Sequence, residues 1–134
     1  MNLATLRIEG DDAALTSAMT QLGLEVDTRW RKGEPRNRGG IHEFSGLNAT
    51  VADADNPKAM IQSVREFLAK CQETKFSFIA SGLSAELAIG VSVGDSEQYV
   101  GFVEVQSSDL TVLGSLGVSL SFAGYPTSDE ANAE

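Results

Sequence analysis

The sixteen residues from Asn56 to Cys71, NPKAMIQSVREFLAKC, constrain the fold more than any other stretch of this chain. Met60, Ile61, Val64, Phe67, Leu68 and Cys71 recur at three- and four-residue spacing, which lines them along one stripe of a helix. Asn56 suits the cap, and Pro57 suits the first helical position, where a missing N–H costs nothing. Lys58, Gln62, Arg65, Glu66 and Lys70 fall on the opposite side, as on a helix laid against a sheet. The segments on either side read as strands.

From Leu3 to Glu9, Ala4, Leu6 and Ile8 alternate with Thr5, Arg7 and Glu9, the period of a half-buried strand. Asp11 or Asp12 then caps a helix with Leu15, Ala18, Met19 and Leu22 inside, and Gly23 ends it, with Met19 and Leu24 as the apolar pair that accompanies such a cap. A second strand follows over Leu24 to Trp30. Two strands joined through a helix are expected to lie parallel in one sheet. Arg29 to Gly40, RWRKGEPRNRGG, has no period and is expected to be an exposed loop.

A third strand is expected within Ile41 to Val51. After the central helix, alternation predicts strands at Phe76 to Ala80, Leu87 to Val93 and Tyr99 to Val105, with a turn at Gly94-Asp95-Ser96. The chain then repeats its opening plan. Gly101 to Val105 leads through Ser107-Ser108-Asp109 to a helix with Leu110, Leu113 and Leu116, then Gly117, then a strand in which Val118, Leu120 and Phe122 alternate with serines. The expected architecture is α+β, with a mainly antiparallel sheet of about six to seven strands, three helices chiefly on one face, and two βαβ-like units near the termini, a relative of the ferredoxin-like arrangement. Residues 1–125 form the expected single domain, and 126–134 an acidic, disordered tail.

ATLRIEG, a helix ending QLGL, and then TRWRKGEPR together resemble the bacterial domain-of-unknown-function family 4279. The likeness continues through the amphipathic helix, the later strands and the short Leu-rich helix ending in Leu-Gly, from Pro57 to Tyr125. One departure stands after the loop, where family members often carry a Trp and this chain reads Ile41-His42-Glu43-Phe44. The resemblance implies an α+β fold and a bacterial setting, and brings no reaction or catalytic residue.

Charge narrows the partners. The net charge is −9, and it is uneven: residues 1 to 50 hold six Arg/Lys against seven Asp/Glu, residues 51 to 134 four against twelve, and no basic residue follows Lys75. Such a field disfavours nucleic acid and anionic membrane and favours a basic protein surface. No apolar run approaches the ~20 residues that span a bilayer. MNLATLRIEG lacks the basic and apolar regions of a signal peptide, so the cytoplasm is expected. The lone Cys71, on the buried stripe, reads as a small apolar residue.

Candidate chemistry is sparse. His42 is the only histidine, without a second His or a Cys near it in sequence, so a zinc site is not expected. It suits a base beside Asp53 or Asp55, or an ordinary strand-edge side chain, while those two acids also suit the helix dipole. Ser81 to Glu86 lacks the nucleophile elbow, and no glycine pattern forms a phosphate loop. No cofactor or metal is expected.

Two charged regions remain. Asp95, Glu97, Glu104 and Asp109 suit contact with a basic partner, or plain solvation of an acidic protein. Arg29, Arg31, Lys32, Arg36 and Arg38 beside Trp30 suit an anion or an acidic surface, or a solvated turn with Trp30 filling the core. The leading expectation is a non-enzymatic bacterial protein-binding domain, an immunity protein that neutralises a toxin. The alternatives are an anion or small-molecule binder, or an enzyme, using loop 29–40, and a homodimer joined through sheet edges.

Overall fold

The computed structural model describes residues 1–127. Among them the order is β1 (Asn2–Gly10), α1 (Asp12–Leu22), β2 (Val26–Trp30), β3 (Ser45–Asp53), α2 (Pro57–Glu73), β4 (Ser84–Val93), α3 (Ser107–Leu116) and β5 (Val118–Pro126). The strands form one mixed sheet in the order β2-β3-β1-β4-β5. Pairings β1–β3, β1–β4 and β2–β3 are antiparallel, and β4–β5 is parallel.

Central helix α2 begins as its sequence dictates. The Asn56 Oδ1 accepts from the Ala59 N–H at 2.8 Å, and Pro57 opens the first turn. Met60, Ile61, Val64, Leu68 and Cys71 are buried, and Phe67 packs partly against the same core. Beneath the helices lie Ala4, Leu6 and Ile8 of β1, paired across to Ala52, Ala49 and Leu47 of β3 and to Ile89, Leu87 and Ala85 of β4. All of these are buried. Each large aliphatic side chain enclosed there contributes about 1.5–3 kcal/mol. Among the described residues the other face of the sheet carries no helix.

Both short helices end as expected on left-handed glycines, Gly23 (φ 59°) and Gly117 (φ 81°). A side chain at Gly117 would also collide with Ile79, whose Cγ1 lies 2.0 Å from where a Cβ would stand. Asp11 occupies the cap position of α1, although its carboxylate makes no capping bond.

Several expectations are corrected. The sheet has five strands among the described residues rather than six or seven. Phe76 to Ala80 is a turn held to α3, with the Phe78 and Ile79 N–H groups donating to the Leu116 carbonyl at 3.0 and 3.3 Å. Phe76 and Phe78 are buried there, but Ala80 is exposed. Tyr99 to Val105 forms no strand, so the last βαβ unit is β4-α3-β5. The opening unit is split: β1 and β2 are parallel, as expected, but β3 lies between them. The third strand begins at Ser45, and Arg29 and Trp30, where the expected strand and the expected loop overlap, belong to β2. Strand β5 runs through Pro126, the first residue of the tail expected over 126–134, and 128–134 lie outside the described residues.

Burial pushes the Cys71 thiol up from 9.0 to about 11, against a smaller opposing pull from the Lys70 charge. A thiol that ionises in the unfolded chain but stays protonated in the fold makes stability fall as pH rises. Urea melts from pH 8 to 11 should therefore show a decline between pH 9.0 and about 11 that Cys71→Ala reduces; parallel pH profiles for the two proteins would refute the assignment.

Candidate functional site

Between β4 and α3 the chain crosses the helix side of the sheet without joining it. Asp95 shapes the entry: its Oδ1 accepts from the N–H groups of Glu97 at 3.1 Å and Gln98 at 2.6 Å, and its Oδ2 accepts from the Thr127 hydroxyl at 3.3 Å. The Gln98 side-chain amide donates to the Ser92 carbonyl. From Gly101 onward burial alternates, with Val103 and Val105 packed on the core and Phe102, Glu104 and Gln106 facing out. The backbone runs so close to β4 that a Cβ on Gly101 would lie 2.7 Å from Val93 Cγ1.

The consequence is a run of large apolar side chains on the surface. Tyr99, Val100 and Phe102 are 77, 76 and 73% exposed. Phe102 lines two neighbouring depressions. One, of about 470 Å³, includes Asp55, Lys58, Asp95, Glu97 and Val100; the other, of about 290 Å³, includes Lys58, Ile61, Arg65 and Glu104. Glu97 and Glu104 are exposed beside the aromatic run.

The four acids expected to meet a partner therefore divide. Glu97 and Glu104 face solvent, and Asp95 holds the turn. Asp109 pairs with Arg65 at 3.2 Å and accepts from the Gln106 N–H at 3.0 Å at the start of α3. The sequence conceals the aromatic run, because Tyr99 to Val105 carries the pattern of an ordinary strand. The signal was present, since Tyr99, Val100, Phe102 and Val103 place apolar residues on both parities.

The basic residues do not converge. Arg29 turns toward α1, donating to Asp12 Oδ1 at 3.1 Å and Thr16 Oγ1 at 3.0 Å. Trp30, the next residue along the strand, lies on the helix-free face with its ring stacked on His42 at 5.0 Å and with the Arg7 guanidinium 4.8 Å above it. It is buried, and its indole N–H is enclosed without a protein partner. Arg31, Lys32, Arg36 and Arg38 lie exposed in a loop braced by Gly33 N–H to His42 carbonyl and His42 N–H to Glu34 carbonyl bonds of 2.8 and 2.9 Å. Lys32 lines a depression of about 490 Å³ together with Asp11 and Asp12, whose charges oppose an anion.

His42 is remote from the acids considered as its partners. It stacks on Trp30, which pairs with Gly46 near the start of β3, whereas Asp53 ends that strand and Asp55 lies beyond it. Among the described residues no three His, Cys, Asp or Glu side chains are grouped to hold a metal ion. No helix among them is long and apolar enough to cross a membrane. Fold and surface together define an α+β domain with an exposed, acid-flanked aromatic strip. No family model, no curated protein and no solved structure matches the chain.

Proposed function

We propose that this is a non-enzymatic protein-binding domain whose working surface is the segment from Asp95 to Glu104, and that its role is that of an immunity protein occluding a basic-surfaced toxin. The exposure of Tyr99, Val100 and Phe102 carries this reading. Aromatic anchors flanked by charge are the usual energetic centre of a protein interface. Each side chain left in water forgoes about 1.5–3 kcal/mol that burial against a partner supplies. Glu97 and Glu104 select for positive charge opposite, and the absence of any basic residue after Lys75 strengthens that choice. The βαββαβ order of the first four strands supports a ferredoxin-like relationship, and the likeness to family 4279 agrees with a bacterial setting.

The test begins by capturing the partner from the native host with tagged protein and purifying it for titration calorimetry. Tyr99→Ala with Phe102→Ala should weaken binding roughly thirtyfold or more, as for interface hot spots. Glu97→Lys with Glu104→Lys should slow association and reduce its salt dependence. Asp95 is unsuitable for charge reversal because it holds the turn. Failure to find a basic partner, or binding indifferent to both pairs, defeats the proposal. Binding lost instead on Arg31→Ala, Arg36→Ala and Arg38→Ala would favour the anion-binding alternative.

A further inference from the structure

The two edges of the sheet are built differently. Edge strand β2 is five residues long, contains Asp27 and Arg29, and breaks register between Val26 and Thr28. Shortness, charge and bulges are devices that stop a free edge from accepting another strand. Strand β5 has none of them over its nine residues, VSLSFAGYP, apart from the terminal Pro126. It pairs with β4 in unbroken register, and no strand lies beyond it among the described residues. Phe122 and Tyr125 on it are 56 and 49% exposed.

We propose that β5 is the dimerisation edge of this protein, pairing antiparallel with β5 of a second copy about a two-fold axis at Phe122. Overlap of the whole strand selects that register, because Phe122 is the midpoint of Val118–Pro126. Phe122 then faces its own symmetry mate. Leu120 stands opposite Gly124, Tyr125 opposite Ser119, and Ser121 opposite Ala123, so large side chains meet small ones on each face. Such cross-strand pairs stabilise antiparallel ladders. Charge favours a second copy as the occupant: in a chain of net charge −9, self-association needs a contact strip free of acids, and β5 carries no charged residue. The contact is isologous and closes as a dimer with a continuous sheet. It is independent of any partner at Tyr99 to Phe102.

Sedimentation equilibrium up to roughly 1 mM protein should show a species of twice the 14.2 kDa chain mass. Phe122→Lys should raise the dimer dissociation constant roughly thirtyfold or more, with circular dichroism unchanged, whereas Thr28→Lys on the opposite edge should leave it unaltered. Phe122→Cys provides a second measurement. Directly opposed residues have Cα atoms about 4.5–5.5 Å apart, within disulfide reach, so this variant should cross-link to itself on oxidation while Ser119→Cys should not. Buried Cys71 does not compete. A 14.2 kDa species at every concentration, a dimer insensitive to Phe122→Lys, or one dissolved by Thr28→Lys would overturn the assignment.

Discussion

Phe78→Ala is expected to lower the unfolding free energy by about 3–5 kcal/mol, the range for truncating a fully buried aromatic. Phe78 is completely enclosed, its ring meeting Phe76 edge to face at 4.9 Å. Its own backbone is pinned on both sides: the N–H donates to the Leu116 carbonyl at 3.0 Å, and the carbonyl accepts from the Leu83 N–H at 2.9 Å. Those bonds tie the turn between α2 and β4 to the end of α3, so the turn cannot settle inward to fill the space. A cavity that cannot collapse adds its own cost to the lost transfer energy. Against the ~5–15 kcal/mol that holds a typical domain together, this is a large fraction. Urea denaturation followed by circular dichroism measures it directly. A midpoint shift equivalent to less than about 1 kcal/mol would contradict the tight packing on which the expectation rests.

The second large effect belongs to Gly46, where the chain needs space rather than unusual backbone freedom. A Cβ there would stand 2.3 Å from Trp30 Cζ2 and 2.8 Å from the Ile8 carbonyl oxygen. Neither obstacle yields cheaply. The indole packs against both Arg7 and His42, and Ile8 belongs to the β1–β3 ladder in which it pairs with Leu47. Gly46→Ala should therefore cost about 1–3 kcal/mol, as overpacking does, and push Trp30 outward. Trp30 is the only tryptophan, so its emission should move to longer wavelength. In a Trp30→Ala background the same substitution should cost much less, a coupling that a double-mutant cycle isolates. An unshifted spectrum with unchanged stability would show that the indole does not occupy the space over Gly46.

Most of the inward-facing residues are legible in the sequence. The spacing of Met60, Ile61, Val64, Leu68 and Cys71 named the buried stripe of α2, and Asn56-Pro57 named its start. Gly23 and Gly117 marked two helix ends because the left-handed backbone that closes a helix favours glycine. Alternation placed Ala4, Leu6 and Ile8 in the core, and it also predicted a strand over Tyr99 to Val105, of which Val103 and Val105 pack partly buried against that core. For the latter segment it misled about structure. A period of two records that every second side chain turns inward, and any extended backbone does this, whether or not its N–H and C=O groups meet a neighbouring strand. Phe76 and Phe78 show the same limit within a turn.

The candidate surface was half visible for a related reason. Acids at 95, 97, 104 and 109 could be counted, but their duties depend on what folds up beside them: Asp95 caps a turn that also meets Thr127, Asp109 meets Arg65, and Glu97 and Glu104 are left facing out. Likewise Arg29 and Trp30 were grouped by adjacency, whereas neighbours along a strand point to opposite faces. One therefore serves α1 and the other covers Gly46.

The order of residues along this chain determined its helices, their ends, its inward-facing side chains and the lopsided distribution of its charge, because each depends on local geometry or on composition. Only the tertiary structure decided that β3 lies between β1 and β2, that Tyr99 to Val105 stays outside the sheet, and that an aromatic strip faces water. Those outcomes turn on which distant segments win the available sheet edges. That competition is settled by the packing of the whole molecule, and no single stretch carries it.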